Sequence, residues 1–218
     1  MDPVTKIAKA PTQSVAIVCL HTVASLLPQF RDLPAPALHL LDEVLLYSIA
    51  EGLGSREEHL ARLQGHREAA AALGARVFLV TCSTLSPLVA SLPVTPGFSN
   101  VAIDQPMIEA AVARGGSLAV VATNPAALEP CVALLGAAGR AVTGPALRLP
   151  EAFAAFRAGD FALHDRILLG ALAGIDSDTI VLAQASMARV VPLAPPELRS
   201  RLLSSPESAI AKVKQLVS

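Results

Sequence analysis

The chain has 218 residues, a formal net charge of −1, 53% apolar residues and only 3% aromatic ones. That is enough chain to bury a core without a metal or disulfide staple, in one domain or two small ones. The near-neutral charge, with no basic stripe or aromatic platform, argues against a nucleic-acid partner, and Ala, Leu and Val supply the apolarity, as suits small-residue helices on a sheet.

Lys6 and Lys9 precede an apolar run at 15–20, the outline of a signal peptide. His21 interrupts that run, and residues 118–122 repeat it deep inside the chain, so it is read as a buried first strand ending at His21-Thr22. A helix is expected from about Val23 to just before Pro34, then a second strand at 37–41 with Asp42 and Glu43 beyond it. Ser55-Arg56-Glu57-Glu58 is a capping box: the Ser side chain satisfies an orphan N–H and Glu58 reaches back. It opens a long amphipathic helix ending near Gly74, with His59 and His66 read as surface residues. Residues 76–81 form a third strand with Cys82 at its tip and a helix from about Thr84. The uncharged stretch 83–103 carries Pro87, Pro93 and Pro96, which makes it a poor membrane-spanning helix.

The second half repeats this order. Residues 117–122 form a strand, Asn124 caps a helix with Pro125 at its first position, and 140–143 is expected to be the second strand. A helical stretch runs to about Gly174, and 178–183 is a strand with Gln184 at its tip. Ser205-Pro206-Glu207 opens a last helix to Val217, as Asp104-Gln105-Pro106 opens an earlier one. The chain therefore reads as a duplication at a shift of 102 residues (184 − 82), with a thiol at one strand tip and an amide at the other. Strand–helix–strand alternation predicts α/β architecture with parallel, Rossmann- or flavodoxin-like sheets and right-handed crossovers. Ligands bind outside the carboxyl ends of such strands, where His21, Asp42, Cys82, Thr123 and Gln184 fall.

Cys82 is the foremost chemical candidate, because a thiolate at a helix start serves as base or nucleophile. Backbone N–H groups around Ser83 and Thr84 suit a carboxylate. His21-Thr22 and Thr123-Asn124, paired by the shift, offer further donors, and Asp42 sits either in the site or on a solvated turn. Gln184 cannot transfer a proton, so it orients a ligand or satisfies backbone groups. Cys19 and Cys131 read as buried small hydrophobes. The three cysteines have no metal spacing, and their odd number points to a reducing, cytoplasmic setting rather than a disulfide framework. No nucleophile elbow, dinucleotide-binding glycine motif, phosphate loop or His-rich cluster occurs.

Val80-Thr81-Cys82-Ser83-Thr84, Val120-Val121-Ala122-Thr123 and Leu182-Ala183-Gln184-Ala185-Ser186-Met187-Ala188 together resemble the aspartate/glutamate racemase superfamily, which includes hydantoin racemases, maleate isomerase and arylmalonate decarboxylase. The resemblance covers nearly the whole chain. It implies two similar α/β domains related by a pseudo-twofold axis, here 1–104 with 205–218 and 105–204, terminal helices packed across onto the other domain, and an active site between them. It implies a small carboxylate substrate held by residues such as Ser83, Thr84, Thr123, Asn124, Ala185 and Ser186, no cofactor, no metal and no membrane, and it leaves a homo-oligomer open. Gln184 stands where the family's second cysteine belongs, so one-sided proton transfer or decarboxylation replaces two-base racemisation. Two rivals remain: a Cys82–His21 hydrolase pair and a non-catalytic carboxylate-binding protein.

Overall fold

The computed structural model describes residues 15–218, without the side chains of residues 125 and 126. Lys6 and Lys9 lie outside the described residues.

The first half runs β1 (Ile17–His21), a 3-10 turn (Ala24–Phe30), β2 (Ala37–Leu41), α1 (Glu43–Ala50), α2 (Arg56–Ala72), β3 (Val77–Val80), a short 3-10 turn (Ser83–Leu85), α3 (Ser86–Val89), β4 (Ser99–Ala102) and α4 (Gln105–Arg114). The second runs β5 (Leu118–Ala122), α5 (Pro125–Ala137), β6 (Ala146–Arg148), α6 (Pro150–Arg157), α7 (Phe161–Ala173), β7 (Thr179–Leu182), a 3-10 segment (Ala185–Leu193), α8 (Pro196–Arg201), β8 (Leu202–Ser204) and α9 (Ser205–Val217). Two four-stranded parallel sheets result, ordered β2-β1-β3-β4 and β6-β5-β7-β8. The central strands β1, β3, β5 and β7 are buried at every position. Both faces of each sheet are covered, so these strands read as continuous apolar runs rather than alternating ones.

On the first sheet, Val18, Leu20, Phe78 and Val80 pack against Leu45 of α1, Leu63 of α2 and Leu88 of α3. The opposite face, with Ile17, Cys19, Val77 and Leu79, is covered by Phe30 and by Ala209 and Val213 of α9. The second sheet mirrors this: Leu118, Val120 and Val181 lie under Met107, Ile108 and Ala111 of α4 and Leu135 of α5. Each helix that follows a fourth strand thus crosses to the other sheet. Pro106 and Pro206 near the helix starts favour such sharp departures, because proline there forfeits no helical hydrogen bond.

Several expectations change in detail. The capping box forms as expected, with Glu58 N–H donating to Ser55 Oγ at 3.2 Å and Ser55 N–H to Glu58 Oε2 at 2.7 Å. The helix expected after β1 is a 3-10 turn with Pro28 inside it, since proline removes an α-helical donor. Residues 140–143 are not a strand; β6 begins at Ala146, opposite Val120. The Arg140 guanidinium instead binds the carbonyls of Ala111, Gly115 and Gly116, and Thr143 and Gly144 N–H both donate to Leu118 O, which uses this segment as a closing loop. The short strands β4 and β8 and helix α1 are additions that the pattern did not announce.

Candidate functional site

Cys82 sits two residues beyond Val80, the last residue of β3 paired with β1, and one beyond Thr81, whose N–H donates to Leu20 O. Alternation along the strand puts its side chain with Val80, Leu85 and Leu88, on the face that α2 and α3 cover. It is 9% exposed, and its carbonyl accepts from Leu85 N–H at 3.0 Å. Among the described residues no hydrogen bond reaches its sulfur. The helix expected from Thr84 is a three-residue 3-10 turn followed by four-residue α3, which is too short for much dipole. Ser83 and Thr84 are exposed beside the thiol. Thr81 turns to the other face, and Ser86 Oγ donates to the buried Asp104 carboxylate at 2.6 Å.

At the equivalent tip of β7, Gln184 has a defined job. Its Oε1 accepts from Thr123 N–H at 2.8 Å, Asn124 N–H at 2.8 Å and Thr123 Oγ at 3.1 Å. These donors converge at the entry to α5, the arrangement that suits a carboxylate oxygen. The amide oxygen occupies that place from within the chain. Ser186 is half-buried and Ala185 is buried against the first sheet's α9-facing cluster.

The register also corrects the repeat. Ile17 pairs with Val77 and Leu118 with Thr179, so β1 maps on β5 at a shift of 101 (118 − 17) while β3 maps on β7 at 102 (179 − 77). Thr22 is therefore the counterpart of Thr123, and His21 is a strand residue matching Ala122. Thr22 is buried, and His21 is wholly enclosed. Thr81 Oγ donates to Leu20 O at 3.2 Å, so His21 Nδ1–H donates to Thr81 Oγ at 2.8 Å, and His39 Nδ1–H donates to His21 Nε2 at 2.9 Å. Burial first, and the neighbouring His39 second, lower the His21 pKa to about 4. Both ring nitrogens are thus engaged on the face away from Cys82, and the Cys82–His21 hydrolase pair does not form.

Asp42 is neither a solvated turn nor an open ligand. It caps α1 by accepting from Leu45 N–H at 3.1 Å, takes both Arg62 Nε and Nη2 at 2.6 and 2.8 Å, and binds His66 Nε2 at 2.7 Å. Burial acts to raise its pKa, but the hydrogen bonds from Arg62, His66 and Leu45 and the Arg62 charge outweigh it and hold the carboxyl at about 2. His66, expected on the surface, is half of a tie between α2 and this cap. Half-buried His59 bonds Leu53 O.

Two features escaped the sequence. A cavity of about 1090 Å³ lies beside edge strand β4, walled by Val89 and Ala102, by Ile108 and Val112 of α4 and by Leu134 of α5, with Asp104 set into it. Burial raises the Asp104 pKa against the hydrogen bond from Ser86. Neither Cys82 nor Gln184 lines that cavity. The second feature is a donor cluster: Cys19, His21 and His39 bring one sulfur and two ring nitrogens within 4.8 Å of one another. Cys19 and Cys131 otherwise behave as core thiols, each pushed up to about 12 by burial.

No family model and no curated protein matches this sequence. Solved structures do. A Picrophilus torridus aspartate racemase aligns over 94% of this chain and 94% of its own at 8% identity, with a TM-score of 0.69. The chain has the aspartate/glutamate racemase fold. An allantoin racemase from Klebsiella pneumoniae covers 94% of this chain and 88% of its own at 18% identity and a TM-score of 0.64. Unliganded arylmalonate decarboxylase covers 94% and 93% at 17% identity and 0.59. Among the described residues no helix is long and apolar enough to cross a membrane.

Proposed function

We propose that the protein is a cofactor-independent enzyme acting at the carbon alpha to a carboxylate of a small amino or organic acid, with Cys82 as its single acid/base. One observation carries this reading: the two strand tips that the fold makes equivalent hold a thiol and an amide, and the amide is locked onto Thr123 and Asn124. A thiolate at Cys82 takes the α-proton from one face, or the thiol delivers a proton there after CO₂ leaves. Gln184 has no proton to exchange, so the opposite face receives none from it. Exposed Ser83 and Thr84 beside the sulfur are the substrate's first donors, with Ser186 on the facing side. Racemases and a decarboxylase of this fold support the reaction class. The site lies between two domains, 1–104 with 205–218 and 105–204, a division supported by the crossing of α4 and α9. Three unpaired thiols support a reducing, cytoplasmic setting.

The test is a panel of amino acids and substituted malonates in D₂O, followed by NMR. The expected result is stereospecific exchange or CO₂ loss with at least one compound, abolished in Cys82→Ala. Turnover that survives Cys82→Ala refutes the assignment. Gln184, which exchanges no proton where the equivalent tip holds a thiol, also supports a second reading, a carboxylate-binding protein without turnover. Saturable binding unchanged in Cys82→Ser, with no exchange across the panel, selects it.

A further inference from the structure

Cys19 and His21 stand two residues apart on β1 and so share a face, while His39 is the Cα partner of Cys19 on neighbouring β2. Register alone therefore gathers one thiol and two imidazoles. They sit on the α9-facing side of the first sheet, away from Cys82, and take no part in the proposed chemistry. Their donor atoms all lie within 4.8 Å of one another. His21 is oriented as a ligand would be: Thr81 Oγ holds its Nδ1–H, which leaves the Nε2 lone pair directed into the cluster.

We propose that Cys19, His21 and His39 form a three-coordinate site for a soft monovalent ion, Cu⁺. Thiolate with imidazole suits copper and zinc. Zinc takes four ligands in closed sites, and among the described residues only these three donors converge. Charge decides further. A thiolate and Cu⁺ sum to zero, whereas Zn²⁺ would leave one positive charge in a buried cluster that Arg31 already faces beside His39. On binding, the Cys19 S–H bond gives way to S–Cu and its proton leaves to solvent. His39 exchanges its Nδ1 proton for one on Nε2, so one proton is released in all and no electron is transferred. The two ring nitrogens, 2.9 Å apart, must open to about 3.5 Å for metal–nitrogen bonds of about 2.0 Å. His39 is half-buried on an edge strand, which gives the ring room to turn and the ion a way in.

The experiment loads the full chain anaerobically with Cu⁺ against a competing bicinchoninate chelator, then measures retained copper and its X-ray absorption. One equivalent bound through one sulfur and two nitrogens is expected. Cys19→Ser and His39→Gln should each weaken retention by more than about 100-fold, and Thr81→Val, which removes the orienting hydroxyl, by about 10–100-fold. Cys82→Ser and Cys131→Ser should retain the full equivalent. If Cys19→Ser fails to fold by circular dichroism, His39→Gln on the edge strand decides alone. Retention unchanged in His39→Gln, retention lost in Cys82→Ser, or zinc held where copper is not would each overturn the proposal.

Discussion

Removing the Gln184 side-chain amide tests the clamp most directly. In Gln184→Ala, three donors lose one acceptor: Thr123 N–H, Thr123 Oγ and Asn124 N–H. At about 1 kcal/mol net per hydrogen bond the loss is about 3 kcal/mol. Thr123 is only 1% exposed, so its donors stay unpaired. Asn124 is half-buried and water can take over there, which brings the expected cost to about 2–3 kcal/mol. With a urea slope of about 2–3 kcal/mol per molar, the midpoint falls by about 1 M. Gln184→Glu keeps an oxygen for the same donors and should stay within about 1 kcal/mol of wild type at pH 7. The emptied donors in Gln184→Ala should then accept an added carboxylate. Malonate at tenfold its dissociation constant for these freed donors would add about 1.4 kcal/mol to that variant beyond whatever it gives wild type. An alanine variant within about 0.5 kcal/mol of wild type, or a glutamate variant as damaged as the alanine, would refute the clamp as a stabilising acceptor.

Gln184→Cys returns a thiol to the second strand tip and is expected to convert one-sided exchange in D₂O into racemisation, read by chiral chromatography; no change would argue that the tips do not share a substrate. The Asp42 cap predicts acid sensitivity. Its folded pKa of about 2 lies below an unfolded value of about 3.9, so its contribution of about 2–3 kcal/mol is complete above about pH 5 and is lost as pH falls from about 4 to 2. Asp42→Asn should flatten that part of the stability–pH curve, and a curve identical to wild type would dismiss the role. Ser55→Ala should lower stability by about 1 kcal/mol by urea unfolding, since it removes one half of an observed capping box. Native-state alkylation with iodoacetamide at neutral pH, followed by peptide mass spectrometry, should label Cys82 before Cys19 and Cys131, whose thiols burial pushes up to about 12.

How much of this was legible depends on the range of the interactions involved. Strand β2 and the cap at Ser55 depend on residues a few places apart. Their signals are local, and β2 in particular spans the expected 37–41. β4 and β8 are short edge strands whose residues differ little from loop sequence; only pairing with β3 and β7 makes them strands. The 140–143 segment shows the same limit from the other side. It carries β-prone residues, but Arg140 finds three carbonyls around Gly115 and the pairing passes to Ala146.

The sequence by itself determined the duplicated α/β order, the buried parallel strands and the mismatch of Cys82 with Gln184, because periodicity and repetition are written along the chain. Tertiary structure alone decided what the mismatched residues touch. It turned His21 away from Cys82, drew Asp42 into a buried cap with Arg62 and His66, seated Gln184 Oε1 on Thr123 and Asn124, and assembled Cys19, His21 and His39 from two strands. The physical reason is sheet register. A shift of one residue reverses every side chain, and whether β1 is offset by 101 or 102 residues from β5 emerges only when the strands are paired.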